Sequence, residues 1–233
     1  MFNGKNKAIT LSFDDGVTQD IRLIEILNKY GLKCTFNLNS GRFEKEKILC
    51  VDGVDVLHKI VKREDVKYIY DGHEVAAHTV NHPSLPKIEE DGEIIRQVEE
   101  DRLALSEIVG YEVVGMAYPG GGVNHDQRVA DIIANNTGIK YARTITASHS
   151  FDIQSDLLKF KPTLHFVSSW ETTFKTAKEF VELETDTPKL LYVWGHAYEF
   201  DCSEKEWERF EEFCSIVSGR EDIFYGTNRE VLL

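Results

Sequence analysis

The chain has no stretch apolar enough to cross a membrane, and no hydrophobic signal-peptide core follows Met1-Phe2-Asn3-Gly4-Lys5. The expectation is a cytoplasmic protein, or a secreted one if a leader has been trimmed. Positive charge is scarce: 27 Lys and Arg stand against 40 Asp and Glu, a formal net charge of −13. Binding a phosphate backbone needs a basic face. The nearest candidate, Lys59 to Lys67, is interrupted by Glu64 and Asp65. Nucleic acid and anionic membrane surfaces are therefore excluded as partners, no obligate protein partner is evident, and the acidity reads as solubility.

Other absences narrow the chemistry. The four cysteines, Cys34, Cys50, Cys202 and Cys214, form no Cys-x-x-Cys pair, which removes zinc ribbons and thioredoxin-type motifs. Cys34 lies in an apolar run and reads as core, and nothing requires a disulfide. There is no Gly-x-Ser-x-Gly elbow, so a serine hydrolase is disfavoured. No Gly-Lys-Ser/Thr follows the glycines at 120–122, so they are not a phosphate loop. With no internal repeat, low-complexity segment or Ser/Pro linker, the 233 residues read as one domain spanning 1–233.

What is present is a β-α-β opening. Ala8–Phe13 reads as a buried strand, Val17–Tyr30 as a helix closed by Gly31, and Lys33–Leu38 as the next strand. Asn39–Gly53 is irregular, a loop or insertion, and Val54–Tyr70 is expected to be helical. A short strand at 74–77, a long helix at 88–109 and a strand at 113–118 follow. Further elements are a helix at 126–136, a strand at 139–145, a helix at 170–183, a strand at 190–194, a helix at 204–217 and a last strand at 223–225. Residues 146–166 carry no clear pattern. About seven β-α units in one domain predict an α/β fold, a distorted (β/α)7 TIM-like barrel. In such barrels chemistry gathers at the C-terminal strand ends. Asp14, Asp15, His78, Pro119 and His196 all fall there.

His78 and His82 are four residues apart, which on a helical turn sets their Cβ atoms roughly 5–6 Å apart on one face. Pro83 disfavours helix at His82, so the turn should end there. Such a pair can hold one ion, or be two ordinary surface histidines. Asp14-Asp15-Gly16 is equally a turn sequence preceding a helix. Taken together, two His and one Asp make a three-ligand metal site with open positions, and the spare carboxylate can face a bound water. His196, after Leu190-Leu191-Tyr192-Val193-Trp194, is either a hydrogen-bonded structural residue or a general acid. Pro119-Gly120-Gly121-Gly122 is either a flexible turn or a backbone cradle for an oxyanion.

These stretches resemble the motifs of the polysaccharide deacetylases, carbohydrate esterase family four. Ser12-Phe13-Asp14-Asp15-Gly16 is similar to the family's Thr-Phe-Asp-Asp-Gly, and His78-Thr79-Val80-Asn81-His82 matches His-Ser/Thr-x-x-His. The resemblance implies Asp14 as catalytic base and Asp15, His78 and His82 as ligands of one divalent ion. Zinc is the default ion, with cobalt, nickel, manganese or iron fitting the same donors. The third motif, Arg-x-Pro-Tyr-Gly, stands here as Ala117-Tyr118-Pro119-Gly120-Gly121. Tyr118, Pro119 and Gly120 then belong to the substrate and oxyanion side, with the Gly120 N–H as donor. The arginine that orients the base is missing at Ala117, and Arg143, at the end of the next strand, is the substitute we expect. His196 corresponds to the acid and Trp194 to a pocket wall. Asp152 and Asp156 are weak candidates for the carboxylate that tunes the acid, and His165 is a low-grade site candidate.

The implied activity is removal of an N- or O-acetyl group from a carbohydrate. The altered third motif keeps two alternatives open: hydrolysis of another amide or cyclic imide on the same fold, and a non-catalytic carbohydrate-binding relative.

Overall fold

The computed structural model describes residues 2–233. Its elements in chain order are β1 (Lys7–Asp14), α1 (Asp20–Lys29), β2 (Cys34–Leu38), β3 (Glu46–Val51), β4 (Val54–Lys59), α2 (Val66–Ile69), β5 (Glu74–Ala77), α3 (Asp91–Val109), β6 (Gly115–Ala117), α4 (Gln127–Asn136), β7 (Tyr141–Arg143), β8 (Leu164–His165), α5 (Trp170–Glu182), β9 (Lys189–Gly195), α6 (Glu204–Val217), β10 (Ile223–Tyr225) and α7 (Asn228–Leu232).

A parallel sheet curls into a half-barrel in the order β7-β6-β5-β2-β1-β9-β8, with β10 also paired to β1. This is the architecture of a distorted (β/α)7 barrel, as the repeated β-α pattern predicts. All eight residues of β1 are buried, as a central strand covered on both faces requires. Helices pack outside through apolar stripes, such as Leu23, Ile24 and Leu27 of α1. Beneath the site, Phe13 meets Phe166, Phe200 and Phe210 with ring centroids 5.4–6.0 Å apart. No described helix is long and apolar enough to cross a membrane, and all four cysteines are free.

Two expectations need correction. Residues 54–59 are not the start of a helix but β4, the second strand of an antiparallel hairpin with β3. The turn is Asp52-Gly53, both at positive φ (50° and 83°), the conformation a two-residue hairpin loop requires. The period is two: Val56 and His58 are buried, while Val54, Asp55, Leu57 and Lys59 are exposed. Only Val66–Ile69 of the expected helix is α-helical. The second correction concerns His78 and His82, which do not share a helical turn. Thr79 (φ 69°) and His82 (φ 61°) are left-handed, and the His82 N–H donates to Thr79 Oγ1 at 3.0 Å. The loop curls back on itself, and the rings meet at 4.8 Å between centroids.

Candidate active site

The C-terminal ends of β1, β5, β6, β7 and β9 open into one cavity of about 310 Å³. Asp14, Asp15, His78, His82, Tyr118, Gly120, Trp194 and His196 line it, as do Arg42, Lys47 and Tyr198. A larger cavity of about 430 Å³, lined by Val66, Tyr70, His73 and Tyr111, lies near the N-terminal end of β5 and holds none of these groups.

The two carboxylates separate because the chain turns sharply between them. Asp14 ends β1 in extended geometry, while Asp15 is left-handed at φ 77°, a conformation unusual for any residue but glycine or a short polar one. Gly16 continues the turn at φ 68°, and a Cβ there would lie 2.9 Å from Leu38 Cγ. Both the backbone and the space demand glycine.

Asp14 is fixed from two sides. Asn37, its register partner on β2, donates Nδ2–H to Oδ1 at 2.8 Å. Arg143 Nη2 lies 2.5 Å from both oxygens. The guanidinium is wholly buried and stacks on Trp194, 4.3 Å from the ring centroid. The parallel register pairs Ala117 with Arg143, so the two residues occupy adjacent positions on one face of neighbouring strands. Burial alone would raise the Asp14 pKa, but Arg143, followed by His78 and His196, outweighs it and lowers the value below the ordinary one.

Asp15 has one oxygen satisfied and one free. His58, from β4, meets Oδ2 with Nε2 at 3.0 Å. Oδ1 is buried with no hydrogen-bond partner. It lies 3.6 Å from His82 Nε2 and 3.9 Å from His78 Nε2. His78 turns its Nδ1 to the Ala117 carbonyl at 2.8 Å, which leaves Nε2 facing the cavity. Asn39 Nδ2 ties the same loop down through the carbonyls of His78 and Thr79. Burial lowers both imidazole pKa values, that of His82 to about 4, so both rings are neutral near pH 7. A buried orphan oxygen facing two neutral imidazole nitrogens is a donor set that fits a divalent ion.

His196 follows β9. Burial disfavours its charge, but Glu199 overrides burial and raises its pKa to about 9. One oxygen, Glu199 Oε2, accepts the His196 N–H at 2.8 Å, sits 3.4 Å from His196 Nδ1 and 3.1 Å from His165 Nε2. His165 is thus part of this cluster. Asp152 and Asp156 are not. Asp152 pairs with Lys189, and Asp156 caps a short turn and pairs with Lys159, so neither is the carboxylate beside His196. Gly120 faces the cavity at φ 84°. Tyr118 is buried with its hydroxyl on the Leu158 carbonyl, and Pro119 is not among the lining residues.

Sequence reasoning missed His58, Asn37, Glu199 and Tyr198. Glu199 sits three residues after His196 at the start of a turn, a spacing at which a side chain reaches back to the cap. His58 was signalled by the two-residue alternation around it. Nothing local marks Asn37 or Tyr198.

A sequence profile described as polysaccharide deacetylase matches residues 3–142. No curated protein matches. Among solved structures, a polysaccharide deacetylase of Mycobacterium smegmatis, itself described as putative, superposes with a TM-score of 0.68 at 14% identity, over 98% of this chain and 90% of that one. A family 4 carbohydrate esterase from Streptomyces lividans, in complex with acetate, gives 0.55 at 13% identity, over 96% and 93%. The Streptococcus pyogenes deacetylase PplD, also with acetate, gives 0.51 at 21% identity over 64% of this chain, and the chain spans only 61% of that protein. At such identities these likenesses speak for the fold.

Proposed function

Since the chain belongs to the polysaccharide deacetylase family, we propose that it is a metal-dependent hydrolase that removes an acetyl group from nitrogen or oxygen of a carbohydrate. One observation carries this reading: the free, buried Oδ1 of Asp15 faces His78 Nε2 and His82 Nε2, while a second carboxylate, Asp14, is held beside it by Arg143.

Asp15, His78 and His82 would hold the ion, and zinc suits one carboxylate oxygen with two imidazole nitrogens. A divalent ion there supplies Lewis acidity toward the acetyl carbonyl and its water. The protein does the rest. Asp14, kept ionised by Arg143, accepts a proton from the attacking water. The Gly120 backbone N–H stabilises the negative charge that develops on the carbonyl oxygen. His196, charged near neutral pH because Glu199 raises its pKa, protonates the leaving amine or alcohol. Trp194 walls the cavity and, through its stack on Arg143, stiffens the grip on Asp14.

The test is metal analysis followed by acetate release from acetylated chitooligosaccharides, acetylated xylan and simple acetyl esters. Metal-loaded protein should release acetate from at least one of them and stop after chelation. Loaded protein that releases none overturns the reading and favours a different amide or a binding role.

A further inference from the structure

Two cations at the cavity are left over by the chemistry above. Arg42 follows β2, and its side chain is only 16% exposed. Among the described residues its guanidinium makes no hydrogen bond, and its one ion-pair contact is Asp15 Oδ1, at 3.9 Å. Lys47, on β3, lines the same cavity and has no ion-pair or hydrogen-bond partner for its ammonium among the described residues. Its register partner across the hairpin is His58, so the two side chains rise from the same face. His58 is tied to Asp15, which fixes the hairpin that carries Lys47 relative to the carboxylates.

Lys47 has no acid to balance, and Arg42 stands 3.9 Å from Asp15 Oδ1, beyond hydrogen-bond distance. Asp14 has Arg143 and Asn37, and Asp15 has His58 on one oxygen and two imidazoles facing the other. Arg42 has no hydrogen-bonded acidic partner and Lys47 no acidic partner at all among the described residues, yet both line the one cavity that holds the two carboxylates. Burying most of a guanidinium without hydrogen bonds is costly, and the cost is recovered when an anion enters between the two groups.

We propose that Arg42 and Lys47 form an anion subsite, and that the acetylated carbohydrate carries a carboxylate or phosphate beside the acetylated position. The inference rests on the deacetylase reading for its substrate class, yet its binding arm needs no turnover. The probes are a neutral chitooligosaccharide, an oligosaccharide containing N-acetylmuramic acid, and an N-acetylglucosamine phosphate. Calorimetric binding and acetate-release kinetics are measured for each. One charged probe should bind about 10-fold more tightly than the neutral one, with the difference in KM rather than kcat and shrinking as salt is added; which one wins tells carboxylate from phosphate. K47Q, at an exposed strand position, should lose part of this preference and keep its kinetics on the neutral probe. R42Q/K47Q should lose the preference entirely. Equal binding of neutral and charged probes by the unmodified protein, or a preference that survives in the double variant, overturns the subsite. Preferential charged binding with no acetate released from any probe, nor from acetylated xylan or simple acetyl esters, overturns the deacetylase reading and leaves the subsite standing.

Discussion

Arg143 and Asp14, 129 residues apart in sequence, meet in a pair in which one guanidinium nitrogen sits 2.5 Å from both carboxylate oxygens. Both groups are shielded from bulk solvent: Arg143 is 0% and Asp14 2% exposed. Losing the arginine leaves a buried charge without its counterion. Arg143→Ala should lower stability by about 3–5 kcal/mol, which for a chain of this size is roughly 6–20 °C in Tm. Arg143→Lys keeps the charge but loses the planar stack on Trp194, and should fall between the unmodified protein and Arg143→Ala. Calorimetry gives the stability and kcat/KM the orienting effect. An Arg143→Ala variant with unaltered kcat/KM would show that Asp14 needs no such partner.

The two aspartates should separate by function. Asp14→Asn is expected to retain bound metal and lose about 10²–10⁴-fold in kcat, the usual yield of a positioned base. His78→Ala should lose both metal and turnover. Metal content by plasma emission, read beside acetate release, distinguishes them, and full activity in either variant sinks the division of labour.

His58 reaches the site from outside the barrel, and by its bond to Asp15 Oδ2 it sets which oxygen is left free. His58→Phe should weaken metal affinity by about 10–100-fold, as loss of an outer hydrogen bond to a ligand does. Competition with a chromophoric chelator measures it. An unchanged affinity would mean that Asp15 is oriented by its backbone alone.

The pH dependence follows from His196. Its pKa is raised from the ordinary 6.5 to about 9, so the proton donor is available below that value and lost above it. Activity should therefore fall on the alkaline side near pH 9. In metal-free protein, the stability that the raised pKa contributes is fully present below 6.5 and is lost as pH climbs through about 9. Glu199→Gln removes the nearest negative charge and should move the alkaline limb toward 6.5, costing about 30-fold in rate at pH 8 if protonated His196 is required. Proton NMR of the His196 ring in metal-free protein checks the titration directly, and a limb that does not move excludes Glu199 as the tuning group.

Much of this could be read from the chain. The β-α alternation points to the barrel, Asp14, Asp15, His78 and His196 stand out because they follow apolar runs, and His82 because it lies four residues after His78. Arg143 was within reach because parallel strands place their C-terminal residues side by side; the register Ala117–Arg143 is that geometry realised. The conformation of the histidine loop was not legible. Spacing of four fits a helical turn, whereas left-handed Thr79 and His82 bring the rings together by another route. His58 is hidden for a different reason: the mixed apolar and charged residues of 54–70 also suit a helix, and only the Asp52-Gly53 turn, which on its own reads equally as loop, decides for a hairpin. Glu199 lies beyond the strand in a short turn, where only the three-residue step back to His196 hints at contact.

The hairpin of β3 and β4 carries Lys47 and Leu49 into the cavity wall and, on the same face, His58 onto Asp15. A wall clamped to the floor in this way cannot swing out to admit a bulky polymer without loosening the clamp. Any displacement of the hairpin is accordingly felt at Asp15, so the width of the cleft and the orientation of that carboxylate change together.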